Sequence, residues 1–113
     1  MSAITTHILD TSRGRPATGV PVVLEYERGG EWIEVGRGQT DADGRLKDLL
    51  RADFSLAEGT YRLSFDASGY FSAQGTESFY PLVTVTFFVA DATQHYHVPL
   101  LLSPYGYSTY RGS

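Results

Sequence analysis

Three histidines, His7, His95 and His97, carry most of the chemistry this chain has to offer. His7 sits in Thr5-Thr6-His7-Ile8-Leu9-Asp10, and His97 in His95-Tyr96-His97-Val98-Pro99. Both lie in segments that read as β-strands, with apolar neighbours. A strand sends alternate side chains to opposite faces. Thr5, His7 and Leu9 therefore share one face, and Thr6, Ile8 and Asp10 the other. With Ile8 in a core, His7 points outward, to the same side as His97 if the two strands share a sheet. Imidazole titrates near neutrality and suits general acid–base work. Arg45, directly after the turn Asp41-Ala42-Asp43-Gly44, can hold an anionic substrate or offset an oxyanion.

Spacing alone leaves blander readings open. A strand histidine is more often packed or solvated than catalytic, and a turn arginine is by default a solvated charge. His95-Tyr96-His97 has the spacing of a metal-binding pair, which His7 can extend to a three-histidine zinc site. Residues 41–44 match part of a calcium loop, but the remaining ligand positions are missing, so a β-turn is expected. No serine has a G-x-S-x-G setting. The chain lacks cysteine, which removes thiol nucleophiles, thiolate metal sites and disulfide scaffolds. Its one lysine, Lys47, belongs to no phosphate-binding loop.

The elements that must position these residues are strands. Residues 20–27 put Val20, Val22, Leu24 and Tyr26 on one face, and Gly29-Gly30 then supplies a tight turn. Residues 31–39 alternate again, so the two segments form a hairpin. Tyr61, Leu63 and Phe65 share a face within 60–66, as do Val83, Val85, Phe87 and Val89 within 82–90. Residues 68–75 are expected to form a short helix. Segments 95–103 and 107–111 end the chain. Seven or eight strands separated by Gly and Pro turns indicate an antiparallel β-sandwich. In segment 95–103, Tyr96, Val98, Leu100 and Leu102 suit the core, while His95, His97, Pro99 and Leu101 share the other face. An outward face this apolar implies cover by another subunit. Pro99 offers no ladder donor, so an edge or a bulge is expected there.

Length and composition limit the remaining possibilities. One hundred and thirteen residues make a single domain, 1–113, large enough for its own core. Hydrophobic residues are 42% and charged residues 19%, too apolar for disorder. A net charge of −4 without a basic cluster argues against nucleic acid. No apolar run approaches a membrane span, and residues 1–7 lack the features of a secretory signal. A soluble cytoplasmic protein is therefore expected.

Four segments then stand out: THILD (6–10), GRPATGVPVVLE (14–25), TDADGR (40–45) and HYHVPLLLSPYGYSTYRGS (95–113). Together they closely resemble the 5-hydroxyisourate hydrolases, the enzyme branch of the transthyretin family. The similarity runs over essentially the whole chain, and Tyr110-Arg111-Gly112-Ser113 is its most specific part. The resemblance implies an all-β, transthyretin-like sandwich of two four-stranded sheets with one short helix. It implies a homotetramer, a dimer of dimers around a central channel, and no cofactor or metal. It implies hydrolysis of 5-hydroxyisourate to 2-oxo-4-hydroxy-4-carboxy-5-ureidoimidazoline in urate catabolism. His7, Arg45, His97 and Ser113 take the catalytic roles, and Tyr110 joins His7, Arg45 and His97 around the substrate. His95, at the strand start, is expected to be peripheral. A transthyretin-like carrier of a small ligand is the competing reading. An accessory structural module would account for residues 19–45 only.

Overall fold

The computed structural model describes residues 3–113; of the domain expected over 1–113, Met1 and Ser2 lie outside the described residues. Among the described residues, nine strands and one helix form in chain order: β1 (Ile4–Asp10), β2 (Arg15–Pro16), β3 (Pro21–Arg28), β4 (Glu31–Gln39), β5 (Arg45–Leu46), β6 (Gly59–Phe65), α1 (Ala67–Ser72), β7 (Val83–Val89), β8 (Tyr96–Ser103) and β9 (Gly106–Thr109). One sheet has the order β2-β1-β8-β9, with β5 added on β1; the other has the order β4-β3-β6-β7.

Alternation drives the packing. Ile4, Ile8, Leu100 and Leu102 from the first sheet are fully buried against Val22, Leu24, Leu63 and Phe65 from the second. Burying an aliphatic or aromatic side chain of this size is worth roughly 1.5–3 kcal/mol. Gly29 and Gly30, both at positive φ, close the β3–β4 hairpin as their adjacent placement predicts. Helix α1 begins at Asp66, whose carboxylate accepts from the Gly69 N–H at 2.9 Å. It runs over 67–72, earlier and shorter than the expected 68–75.

Three local expectations need correction. The sandwich is not wholly antiparallel, because β1 and β8 pair in parallel, with Thr5 beside His97 and His7 beside Pro99. The register of β3 and β4 shifts at Leu24/Glu25, opposite Gly36 and Glu34, so Val35 and Gly36 are both buried and strict alternation fails there. Pro99 needs neither an edge nor a bulge, since β8 is an interior strand between β1 and β9. The adjoining strand yields instead. β9 ends at Thr109, and pairing resumes only as an isolated bridge between His97 and Gly112. The Thr109 hydroxyl donates to the Pro99 carbonyl at 2.7 Å, so that acceptor stays satisfied.

Candidate active site

The parallel β1–β8 pairing and the β5–β1 pairing place the chemistry on one outer face. Arg45 pairs with His7 on one edge of β1, and Pro99 flanks His7 on the other. The row beside it contains Thr5, His97 and Gly112. Arg45 is set by the turn before it. The Asp41 carboxylate accepts from the N–H groups of Asp43 and Arg45 at 2.9 and 3.0 Å. Gly44 has φ +73°, and a Cβ there would lie 2.4 Å from the Ile8 carbonyl oxygen. Its own carbonyl accepts from the Ile8 N–H at 2.7 Å, which ties the turn to β1 next to His7. Residues 41–44 thus form the expected turn, and its work is to present Arg45.

Thr5, Thr6, Arg45, Lys47, His95, His97 and Ser113 line a cleft of about 160 Å³. Among the described residues, no Asp or Glu side chain lines it. The Thr5 hydroxyl stands 2.8 Å from His97 Nδ1 and 3.0 Å from His95 Nε2. The imidazolium form of His97 is disfavoured, first by burial and then by the charges of Arg45, His7 and His95; the Thr5 backbone pushes the other way. His97 is therefore held neutral to lower pH than a free histidine, the form that can accept a proton.

The tail of the chain closes one wall. Arg111 lies over the Tyr96 ring at 4.4 Å and donates to the Gln94 side-chain oxygen at 2.9 Å. The Gly112 N–H donates to the His97 carbonyl at 2.8 Å. These contacts deliver Ser113 to the cleft.

Of the residues singled out in the sequence, Arg45, His97 and Ser113 meet in this cleft. His7 lies on the same face and its charge reaches His97, but it does not line the cleft of the single chain. Tyr110 is placed apart. It borders a separate groove with Val85, Phe88 and Thr109 and is 57% exposed. His95 is not peripheral, since its ring bonds to Thr5 and lines the cleft. Thr5 and Lys47 are cleft residues that sequence reasoning misses. Thr5 shares the parity of His7, which is a visible signal, but its place beside His97 depends on register. A roomier cleft of about 480 Å³ lies beside α1, with Arg13, Arg15, Tyr70 and Gln74 in its wall. It holds no histidine, and Arg13 is already bonded to Gln74 at 2.7 Å. Among the described residues, no three His, Asp or Glu side chains gather as a metal site.

Known proteins resemble the chain over nearly its whole length. The HIUase/Transthyretin family matches residues 4–112. A probable 5-hydroxyisourate hydrolase of Caenorhabditis elegans is 49% identical over 112 residues, which is 99% of this chain and 82% of that protein. The structure of Klebsiella pneumoniae 5-hydroxyisourate hydrolase is 38% identical with a TM-score of 0.80, covering 97% of this chain and 92% of that one. Sea bream transthyretin in complex with thyroxine superposes with a TM-score of 0.91 at 31% identity, covering 98% and 95%. With fold and sequence in agreement over nearly every residue, the chain belongs to the HIUase/transthyretin family.

Proposed function

We propose that this protein hydrolyses 5-hydroxyisourate, opening its ring to 2-oxo-4-hydroxy-4-carboxy-5-ureidoimidazoline in urate catabolism. One observation carries the reading: a small cleft without acidic side chains joins a neutral-biased histidine to two cations and a hydroxyl. The relatives named as 5-hydroxyisourate hydrolases support the choice of substrate. In this mechanism His97, assisted by His7, positions a water and takes its proton as the water oxygen bonds to a ring carbonyl carbon. The carbonyl electron pair moves onto its oxygen, where Arg45 offsets the charge. A well-placed donor of this kind is worth about 3–4 kcal/mol. Collapse of the adduct breaks the ring C–N bond, and the departing nitrogen recovers the proton from the imidazolium. The Ser113 hydroxyl orients water or substrate.

A cleft of about 160 Å³ in one chain falls short of the ~300 Å³ at which ordinary ligand sites begin. This supports a site completed by a second subunit, within a homotetramer built as a dimer of dimers around a channel. Exposed Phe88 on β7 and exposed Tyr107 on β9, at the edges of the two sheets, support association there. In such an assembly Tyr110 approaches the channel from a neighbouring chain.

The test is the absorbance decay of 5-hydroxyisourate generated in situ by urate oxidase, with and without the protein. Accelerated decay that is lost in His97→Asn is the expected result. Decay at the spontaneous rate, from folded protein, would refute it. A ligand carrier is the second reading, favoured by the high similarity to the thyroxine-bound transthyretin. Tight binding of small aromatic ligands without turnover would select it.

A further inference from the structure

We propose that Thr5 is a positioning residue that fixes the tautomer of His97, placing the ring proton on Nδ1 and leaving the Nε2 lone pair for the substrate side. This rests on the hydrolytic reading of the cleft for its consequence, though not for its geometry. Thr5 is only 5% exposed, and strand register sets it beside His97. Its hydroxyl oxygen is within hydrogen-bond distance of His97 Nδ1 (2.8 Å) and of His95 Nε2 (3.0 Å). A hydroxyl has one proton to give. Between two neutral rings it donates to one nitrogen and accepts from the other, so the two tautomers are coupled through one oxygen.

Two arrangements satisfy this bridge. In one, His97 Nδ1–H donates to Thr5 Oγ1 and the Thr5 O–H donates to His95 Nε2. In the other, both donations reverse, and His97 carries its proton on Nε2. One observation favours the first. Arg45 and Lys47 line the same cleft, and positive charge there favours a lone pair over an N–H at the ring tip. Packing leaves that tip as the working end. The Nδ1 edge is held by Thr5. The opposite, Cδ2 edge is closed by Gly112, where an added Cβ would stand 2.6 Å from Cδ2. Only Nε2 and Cε1 remain to meet a substrate. His95, exposed and outside the strand, then acts as the acceptor that draws the Thr5 proton away from His97.

The wrong tautomer presents an N–H where the base needs a lone pair, a fault that has large kinetic consequences in histidine-dependent hydrolases. The experiment pairs ring-nitrogen NMR with kinetics in Thr5→Val, which preserves strand shape without the hydroxyl, and in Thr5→Ser, which keeps it. In the parent protein at about pH 7.5, where His97 is neutral, two-bond nitrogen–proton correlations are expected to show Nδ1 protonated. Thr5→Val moves the population toward Nε2–H and lowers kcat roughly 10²-fold with KM little changed. Thr5→Ser recovers most of both. Should Thr5→Val not fold, Thr5→Ala takes its place in the same comparison. A parent His97 protonated on Nε2 overturns the proposal. So does a hydroxyl-free variant with parental tautomer and parental kcat. Because the nitrogen spectrum requires no substrate, Nδ1 protonation in a protein that fails to turn over 5-hydroxyisourate would leave the positioning role standing and remove only the proposed activity.

Discussion

A single methyl group on Gly112 tests whether the tail sets the position of the His97 ring. The Cβ of Gly112→Ala would lie 2.6 Å from His97 Cδ2, 3.4 Å from His97 Cγ and 3.3 Å from Pro99 Cγ. Comfortable carbon–carbon contact begins at about 3.5 Å, so something must move by about 1 Å. Pro99 is buried in an interior strand and cannot retreat. Either the imidazole swings, opening its 2.8 Å contact with Thr5, or the tail lifts, opening the 2.8 Å bond from the Gly112 N–H to the His97 carbonyl. Both displace a reacting group by roughly the distance that costs 10²-fold in rate. That loss corresponds to about 2.7 kcal/mol in the barrier, at about 1.36 kcal/mol per tenfold. Gly112 is not at positive φ, so the substitution adds no backbone strain of its own. It also lies beyond the last strand, so the melting temperature is expected to stay near the parent value. The assay is kcat and KM from the 5-hydroxyisourate decay, with thermal denaturation as the control. A variant with parental kcat and parental melting would refute the argument that the tail fixes the base. Lost activity with a collapsed melting temperature would show the contact to be one of stability instead.

Further outcomes are expected at His97 and at the buried Asp10. Burial, followed by the charges of Arg45, His7 and His95, holds His97 below its ordinary value near 6.5, so the acid limb of kcat/KM should lie below about pH 6.5. Because the folded protein then binds fewer protons than the unfolded chain, stability should fall as pH drops from about 6.5 through the folded value. In Arg45→Met the NMR titration midpoint of His97 should rise, and an unchanged midpoint would sink the charge assignment. Asp10 is fully buried, and its carboxylate accepts from the Ser12 N–H (3.0 Å), the Ser12 hydroxyl (2.6 Å), the Arg13 N–H (3.2 Å) and the Tyr70 hydroxyl (2.8 Å). Asp10→Ala should therefore cost about 3 kcal/mol or more in urea unfolding, and Tyr70→Phe about 1.5 kcal/mol; a loss below about 1 kcal/mol for Asp10→Ala would contradict this account.

Period-two alternation is a local property, which is why the outward placement of His7 and the inward placement of Ile8 are readable from a few residues. The same holds for the core face of β8, where Tyr96, Val98, Leu100 and Leu102 are all buried. The Thr5 bridge is not readable in this way. It joins residues 90 and 92 positions apart, and the partner of His97 depends on β1 and β8 running parallel. An antiparallel pairing would preserve every parity and change the neighbour. His95 reads as peripheral because it stands at the start of segment 95–103; β8 begins one residue later, at Tyr96, yet a side chain just outside a strand still reaches across to the next one. Pro99 is ambiguous for a related reason. A missing donor must be accommodated by some strand, and the sequence does not say whether it is the strand with the proline or the one beside it. Here β9 stops, and the stop frees the tail to cross His97.

The two similarities in fold bear on function through this separation of faces. The superposition is tighter on the thyroxine-bound transthyretin, at 0.91, than on the Klebsiella hydrolase, at 0.80, while identity runs the other way, at 31% and 38%. Backbone similarity therefore does not choose between binding and catalysis. The core that determines the sandwich uses Ile4, Ile8, Tyr96, Val98 and Leu100. The candidate site uses Thr5, His7, His97 and the tail, on the opposite faces of the same two strands. Substitution on the outer face leaves the core volume untouched, so chemistry can be gained or lost there at little cost to the fold. Pro99 in the His7 row and Gly112 in the neighbouring His97 row link the two, because there the end of β9, the path of the tail and the His97 ring depend on one another. A change there shifts the tail and the chemistry together, which makes this the place where the backbone path constrains the function.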